Sequence, residues 1–254
     1  MEKLLDEIES YWSTRTEGYS EVNHKELAGT QKNAWLKVLT SQFPDKPKEE
    51  IRILDIGTGP GFFPVILAEA GYHVDAVDYT EGMLEKAKEN AGDLCRNIRF
   101  LRMDAQKLDF EDNTFDVVIS RNLTWNLEHP DVAYREWVRV LKVGGRLLNF
   151  DANWYGYLYE EEQRKAYEND RKNVENNSLD DHYLCTDIER MERIALQVPL
   201  SKISRPQWDV KTLREAGLLG IRTDTEIWKT VWSEEERLNY QSTPMFMVTG
   251  VKPD

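Results

Sequence analysis

Several kinds of residue pattern are scarce in this chain, and each scarcity excludes a class of protein. Two cysteines, Cys95 and Cys185, occur in 254 residues. They lie far apart in the sequence, so we expect reduced thiols rather than a disulfide framework. No apolar run approaches the ~20 residues that span a bilayer, and residues 1–7 are too charged for a secretory signal. The expectation is a cytoplasmic protein with no membrane partner.

Basic residues are also outnumbered. Forty-six Asp and Glu residues against 33 Lys and Arg residues give a net charge of −13. Such a surface repels a phosphate backbone, and no run of Lys and Arg offers a local basic patch. The composition therefore argues against a nucleic-acid partner.

Two common catalytic patterns are missing as well. No His/Cys/Asp spacing indicates a metal site, and no G-x-S-x-G segment indicates a hydrolase. We therefore predict no bound metal.

What remains is a regular alternation of strand and helix patterns. Helices with one apolar face are predicted from Phe62, Thr80 and Pro130, between apolar runs typical of strands. The predicted strands are 51–56, 73–77, 98–102, 115–120, 146–150, 221–228 and 245–251. Repeated βα units of this length imply an α/β fold with a doubly wound parallel sheet.

Two segments stand outside this alternation. Residues 1–50 have the pattern of helices joined by polar segments, and residues 152–208 contain clustered aromatic residues and a charged helix candidate. We predict an N-terminal helical lid over 1–50 and a main domain over 51–254. Within that domain, 152–208 form an insertion after strand five.

The most informative motif joins the first strand to the next helix. Residues 53–62 are ILDIGTGPGF, and Asp78 ends the second strand, 21 positions after Gly57. Glycines let the backbone turn sharply and let a ligand approach a peptide plane. An acid at the tip of the second strand accepts hydrogen bonds from ribose hydroxyls. The motif therefore predicts a site for a ribose-bearing cofactor.

The spacing of the glycines bears on which cofactor binds. The dinucleotide pattern G-x-G-x-x-G requires glycine at position 62, where Phe62 stands, and the third glycine is Gly61. The pattern D-x-G-x-G-x-G, which begins at Asp55, instead resembles the first motif of class I S-adenosylmethionine (SAM)-dependent methyltransferases.

Further motifs extend this resemblance over residues 51–251. Asp78 resembles the acid that holds both ribose hydroxyls, and residues 103–105 (MDA) resemble the loop whose acid receives the adenine amino group. Residues 140–145 (VLKVGG) resemble the V-L-K-P-G-G turn before strand five, with Val143 in place of proline. The N-terminal residues 11–19 resemble the helical lid of members that act on small molecules.

The resemblance implies a seven-stranded, mostly parallel, Rossmann-like sheet with a reversed final strand, and SAM as the cofactor. The implied activity is methyl transfer to a small-molecule acceptor by in-line displacement. The cofactor-binding residues that it implies are Tyr19, Asp55, Gly57, Thr58, Gly59, Gly61, Asp78, Tyr79, Met83, Asp104, Ala105 and Arg121.

The acceptor is expected beyond the carboxyl end of strand four, because open α/β sheets bind ligands there. The residues expected to line its site are Trp125, Asn126, Trp154, Tyr155 and Tyr157. A structural role remains open for each of them, as local packing, turn or core residues. Arg121 likewise fits either a ligand carboxylate or one of the many local acids.

The chemistry of the acceptor stays open at this point. His182 and Asp151 are the candidates for a general base, which a hydroxyl or an activated carbon needs but a thiolate or neutral amine does not. The motif of DNA amino-methylating members is replaced by RNLT at 121–124, so that activity is not expected. A monomer or homodimer is expected. The alternatives are a SAM-binding partner without catalysis and an NAD-dependent oxidoreductase.

Overall fold

A seven-stranded sheet forms the centre of the computed structural model, which describes residues 4–183 and 186–254. Cys185 lies outside the described residues. The strands are β1 Arg52–Ile56, β2 His73–Asp78, β3 Ile98–Arg102, β4 Phe115–Arg121, β5 Leu141–Asp151, β6 Leu219–Asp224 and β7 Phe246–Val251.

Helices precede the sheet, cover it and form part of the insertion. They are α1 Leu4–Ser13, α2 Thr16–Ala28, α3 Gln31–Ser41, α4 Phe62–Glu69, α5 Glu81–Ala91, α6 Pro130–Val140, α7 Glu161–Asn176, α8 Ile188–Ala195, α9 Gln207–Glu215, α10 Trp228–Val231 and α11 Glu234–Asn239. Pro130 occupies the first turn of α6, where its missing N–H costs little. Ser233 and Glu236 form a capping box that starts α11.

The strand order is β3-β2-β1-β4-β5-β7-β6. Strands β1 to β5 pair in parallel, and β7 runs antiparallel to both β5 and β6. The prediction of a doubly wound, mostly parallel sheet with a reversed final strand is confirmed. From β1 the chain adds β2 and β3 on one side, and then returns to add β4 and β5 on the other side of β1. A crevice for a ligand therefore opens beyond the carboxyl ends of β1 and β4, where the order of the strands switches.

Two local predictions need correction. The sixth strand ends at Asp224, earlier than the predicted 228, because the Asp224 carboxylate accepts the Glu226 N–H at 2.8 Å and turns the chain into α10. The predicted turn over residues 142–145 lies inside β5. There Phe115 pairs with Leu141 and the register resumes at Val117 with Arg146, so the glycines form a bulge in the strand.

Side chains of the central strands alternate between two cores. Ile53 packs on one face of the sheet with Trp35 and Phe63, while Leu54 packs on the other face with Trp137. Because helices cover both faces, the central strands are apolar on both sides, as expected for a parallel sheet. Strand ends and loops are what remains for binding.

A buried ion network ties the insertion to the sheet. The Arg205 guanidinium donates to Asp151 at 2.6 Å, and to the two oxygens of Asp209 at 2.9 and 2.6 Å. All three side chains are fully buried. Asp151 ends β5 and Asp209 lies on α9, so one cation joins three parts of the chain.

Neutral groups extend this network toward the loop after β4. The Tyr134 hydroxyl donates to Asp209 and accepts from the Asn149 amide at 2.8 Å. The Thr124 hydroxyl donates to Asn149 at 3.1 Å. The network therefore reaches from the insertion to the residues that follow β4.

Two further findings concern residues 4–183 and 186–254. None of the helices in that part of the chain has the length and apolar character that crossing a membrane requires. The same residues contain no group of three or more His, Cys, Asp or Glu side chains arranged to hold a metal ion.

Replacing Arg205 with alanine should strongly destabilise the fold. The change leaves two buried carboxylates without their cation, which costs about 3–5 kcal/mol. Urea unfolding monitored by circular dichroism would measure the loss. Arg193→Ala, which removes an exposed arginine from α8, is the control and should change stability by less than about 0.5 kcal/mol. Equal stabilities of the two variants would contradict this account of the network.

Candidate active site

The loop between β1 and α4 requires glycine at two positions. Gly57 has φ +70° and Gly61 has φ +93°, a region that side chains rarely adopt. A Cβ at Gly57 would lie 2.7 Å from Leu123 Cδ2, and one at Gly61 would lie 3.0 Å from Ala87 Cβ. The backbone can therefore follow this tight path only without side chains, and it passes directly beside the crevice.

Asp78 lies next to that loop, at the carboxyl end of β2. Its two carboxylate oxygens accept hydrogen bonds from the Gly59 N–H at 2.8 Å and the Thr80 N–H at 2.9 Å. Burial raises the pKa of Asp78, and these backbone donors oppose the rise. Each oxygen keeps a further lone pair, so the carboxylate is able to accept from ligand hydroxyls while it braces the loop.

Asp55 is buried beneath the loop, with 2% of its surface exposed. Burial raises its pKa to about 7, an effect that the positive charge of Arg121 opposes. A carboxyl group with this pKa is sensitive to any cationic group that enters the crevice.

Arg121, at the end of β4, is already paired within the protein. Its guanidinium makes two hydrogen bonds to Glu26 of α2, at 2.8 and 3.0 Å. It also lies 4.8 Å from the centre of the Phe62 ring. Of the two roles that the sequence left open, this geometry favours the ion pair with a local acid. Sequence reasoning missed Glu26, whose burial within a polar helix shows only in the structure.

A second residue of α2 was also missed. Asn23 is 2% exposed, and neither its Oδ1 nor its Nδ2 has a hydrogen-bond partner among the described residues. It lies one helical turn from both Tyr19 and Glu26, the residues that α2 contributes on this side. Buried amides are rarely left unpaired, so Asn23 is a candidate contact for a polar ligand group.

The residues expected around an adenine lie together beyond β2 and β3. Tyr79 is held from one side by Arg102, whose guanidinium lies 5.2 Å from the ring centre and whose Nε donates to the Tyr79 carbonyl at 2.9 Å. Met83 is buried on α5. Oδ1 of Asp104 accepts from the Gln106 N–H at 2.8 Å and from its side chain. Ala105 accepts the Trp137 indole N–H at 2.9 Å.

Trp125 and Asn126 form a short helical turn after β4 and are both buried. The Trp125 ring stacks on Tyr155 at a centroid distance of 5.0 Å, and its indole N–H donates to the Asn122 carbonyl at 3.0 Å. Oδ1 of Asn126 has no partner among the described residues. The Trp125 ring is therefore held in place by these contacts, and the unpaired Asn126 oxygen is available to a ligand.

An aromatic cluster joins the insertion to the N-terminal helices and to the end of α11. It comprises Tyr11, Trp125, Trp154, Tyr155, Tyr157, Tyr167, Tyr183 and Tyr240. Tyr157 stacks on Tyr167 at 4.1 Å and donates to Glu192 at 2.8 Å, so it packs inside the insertion. Tyr155 connects the insertion to the turn after β4, with its ring centre 5.0 Å from that of Trp125, 5.7 Å from that of Tyr157 and 6.4 Å from that of Tyr183. Burial raises the pKa of Tyr155, and the neighbouring phenols, first Tyr183, add to the effect.

The two candidates for a general base differ in their surroundings. Asp151 accepts hydrogen bonds from Arg205, from the Trp125 and Ala152 N–H groups and from the Trp154 indole. With its oxygens filled in this way, a structural role is favoured for Asp151.

His182 instead connects two residues that sequence reasoning missed. It lies 3.0 Å from the Tyr240 hydroxyl through Nδ1 and 3.0 Å from Glu235 through Nε2. These partners are separated from it by more than fifty positions, so no local motif could have revealed them.

This architecture defines a class. A sheet of this order with a reversed last strand, a glycine loop after β1 and an acid after β2 together form a Rossmann-like fold of the class I methyltransferase type. Residues 54–149 match the family described as a methyltransferase domain. The match supports the assignment of the fold for that segment.

Individual relatives agree with this family. A demethylmenaquinone methyltransferase of Clavibacter sepedonicus is 41% identical over 98 residues, covering 38% of this chain and 39% of the relative. One of Renibacterium salmoninarum is 31% identical over 148 residues, covering 58% of this chain and 60% of the relative. This chain therefore spans less than two thirds of the length of these relatives.

A solved structure shows the same fold over most of the chain. Phosphoethanolamine N-methyltransferase 2 of Haemonchus contortus, in complex with S-adenosyl-L-methionine, matches with a TM-score of 0.60 and 18% identity. The match covers 87% of this chain and 53% of the other. At this identity the likeness concerns the fold.

Replacing Asp78 with alanine should weaken SAM binding by about 1.5–3 kcal/mol, because it removes a charged acceptor of two ligand hydroxyls. Isothermal titration calorimetry would measure the loss. Asp75→Ala is the matched control, since Asp75 lies on the same strand but pairs with Arg99 at 2.7 Å on the surface. Undiminished affinity of Asp78→Ala, or an equal loss in Asp75→Ala, would remove Asp78 from the site.

Asp55 should make the unfolding free energy depend on pH. Its pKa in the folded state, about 7, lies above the value of about 3.9 in the unfolded chain. Between these two pKa values, the folded state therefore holds a proton that the unfolded state has released. As a result, the contribution of Asp55 to the free energy of unfolding declines as pH rises from about 4 to about 7.

Asp55→Asn should abolish that decline. Relative to the wild type, the variant should gain roughly 1–3 kcal/mol between pH 5 and pH 8, as measured by urea unfolding. Asp109→Asn changes an exposed acid and should show no such gain. A pH-independent difference between Asp55→Asn and the wild type would contradict the raised pKa.

Proposed function

We propose that this protein is a SAM-dependent methyltransferase that acts on a small, aromatic acceptor. The observation that carries the proposal is the joined geometry of the glycine loop and Asp78 at the switch point between β1 and β4. The family of residues 54–149 supports it. Binding of SAM at this loop would bring its methyl group toward the end of β4.

The residues present fit SAM part by part. Asp78 would accept from the ribose hydroxyls, and Asp104 would receive the adenine amino group beside Tyr79 and Met83. The methionine part would lie along the loop, where Asn23 offers an unpaired amide. Bound SAM supplies an electrophilic methyl group on a positively charged sulfur.

The chain's own contribution is alignment and exclusion of water. Holding a nucleophile in line with the carbon–sulfur bond contributes up to about 7–11 kcal/mol in favourable cases. Trp125 and Tyr155, stacked beyond β4, supply flat apolar surfaces against which a ring would be oriented. Asn126 would hydrogen-bond the acceptor through its unpaired oxygen.

We further propose that residues 1–50 act as a lid and residues 152–208 as a cap over the acceptor. In support, α2 reaches the glycine loop through Asn90, whose amide donates to the Pro60 carbonyl at 2.9 Å and to Ser20 at 3.2 Å. The ion pair between Arg121 of β4 and Glu26 of α2 holds the same helix against β4. Tyr19 of α2 would lie over the ligand.

The acceptor is proposed to be aromatic on two grounds. The aromatic cluster borders the end of β4, and the relatives are named for methylation of demethylmenaquinone. The net charge of −13 supports a small molecule rather than nucleic acid.

Calorimetric titration with SAM, S-adenosylhomocysteine and NAD tests the cofactor directly. We expect micromolar binding of the first two and none of NAD, with the affinity for SAM reduced in Asp78→Ala. Release of S-adenosylhomocysteine in the presence of aromatic acceptors then tests activity. Binding of NAD alone would overturn the proposal, and SAM binding with no turnover on any aromatic acceptor would contradict its acceptor class.

A further inference from the structure

A glutamate, a histidine and a tyrosine form a chain of hydrogen bonds at the edge of the aromatic cluster. Glu235 Oε1 lies 3.0 Å from His182 Nε2, and His182 Nδ1 lies 3.0 Å from the Tyr240 hydroxyl. Glu235 belongs to α11, Tyr240 follows the last residue of α11, and His182 belongs to the insertion. The chain of bonds therefore crosses from one element to another.

The direction of each hydrogen bond follows from the groups involved. An ionised carboxylate only accepts, so His182 donates from Nε2 to Glu235. Nδ1 of the neutral imidazole is then an acceptor, and the Tyr240 hydroxyl donates to it. In this order, a proton from Tyr240 can pass to His182, and Glu235 stabilises the imidazolium that results.

Neighbouring groups hold the histidine in place. The Asn239 side chain accepts from the His182 backbone N–H at 3.1 Å and donates to the Asp180 carbonyl at 3.1 Å. Arg171 donates to Asn239 at 3.2 Å and to Asp181 at 2.6 Å. Since Asn239 is itself 1% exposed, the backbone of His182 is held by a buried scaffold, while the imidazole is held by Tyr240 and Glu235.

The two ends of the chain of bonds have different surroundings. At the inner end, the Tyr240 ring lies 5.2 Å from Trp154 and 5.8 Å from Tyr183. Burial raises the pKa of Tyr240, and the phenols of Tyr183 and Tyr19 add to the effect. Tyr240 therefore faces the side where the lid and the aromatic cluster meet. At the outer end, the Glu235 side chain is 37% exposed, which gives a proton access to water.

We propose that Tyr240, His182 and Glu235 form a proton relay that deprotonates a phenolic or hydroquinone hydroxyl of the methyl acceptor. The proposal rests on the proposed methyltransferase function and specifies its acceptor. Neither a thiolate nor a neutral amine would need such a relay. A phenol would, and its ring would stack among the aromatic side chains.

The proton and electron movements balance. The acceptor hydroxyl gives its proton to the Tyr240 oxygen while Tyr240 gives its own proton to His182 Nδ1. The electron pair left on the acceptor oxygen forms the bond to the methyl group. Where the pair instead attacks from a ring carbon, that carbon afterwards gives up its hydrogen as a proton to water and the ring becomes aromatic again. The carbon–sulfur bond of SAM breaks and its electron pair stays on sulfur. The imidazolium then loses its Nε2 proton to water beside Glu235, and proton exchange with water restores the tautomer with hydrogen on Nε2.

The tautomer of His182 tests the relay without any acceptor. The chain has four histidines, so long-range 1H–15N spectra of the full chain with bound S-adenosylhomocysteine will show few imidazole signals, and His182→Gln assigns the relevant one. We expect a hydrogen on Nε2 of His182 and a hydrogen bond accepted by its Nδ1. The effect of the accepted hydrogen bond on the Nδ1 signal should be lost in Tyr240→Phe. Hydrogen on Nδ1 would overturn the relay.

Turnover on a matched pair of acceptors tests its chemistry. The probes are 2-naphthol, whose hydroxyl needs a base, and 2-naphthalenethiol, which reacts as the thiolate. His182→Gln, Glu235→Gln and Tyr240→Phe should slow methylation of the naphthol by about 100-fold or more and leave the thiol rate nearly unchanged. The matched controls His129→Gln, Glu234→Gln and Tyr159→Phe alter exposed residues outside the relay and should retain both rates.

The remaining outcomes separate the two proposals. An equal loss on both probes, or no loss on either, would overturn the relay and assign these residues a structural role. SAM binding without methylation of the naphthol by the wild type would overturn the phenolic acceptor. Failure to bind SAM would overturn the proposed function itself.

Discussion

The buried cation of Arg205 is the constraint on which the acceptor side of the molecule depends. Its two carboxylate partners belong to β5 and α9, and the same Asp151 that it pairs with accepts the Trp125 N–H and the Trp154 indole. Because no solvent reaches these charges, a shift of any one element would leave a charge unpaired. The tryptophans beside the crevice are therefore held in fixed positions relative to the sheet.

The cofactor side was predictable from sequence because its signals are local. The loop after β1 needs positive φ at fixed positions, which the sequence shows as closely spaced glycines. The site also needs a carboxylate at a strand end, which the sequence shows as Asp78 directly after an apolar run. The doubly wound parallel sheet followed from the βα alternation, and its reversed final strand from the family resemblance. The early end of β6 was missed because one Asp224 side chain decides it.

Contacts that join distant positions were much less predictable. Arg121 and Glu26 are 95 residues apart, and His182 is 53 residues from Glu235. Charged residues are common in this chain, so neither composition nor periodicity indicates which acid meets which base. His182 was recognised as a titratable residue in the insertion, but its partners depend on how α11 folds back.

The division between local and distant contacts also bears on how such a protein changes over generations. The stretch that matches the methyltransferase family ends at residue 149, whereas α1, α2, the insertion and α11 all lie outside it. Under the proposed function, replacement or reshaping of those outer segments would alter the acceptor without changing the loop that would hold the donor. A lineage built this way would then acquire new acceptors one segment at a time.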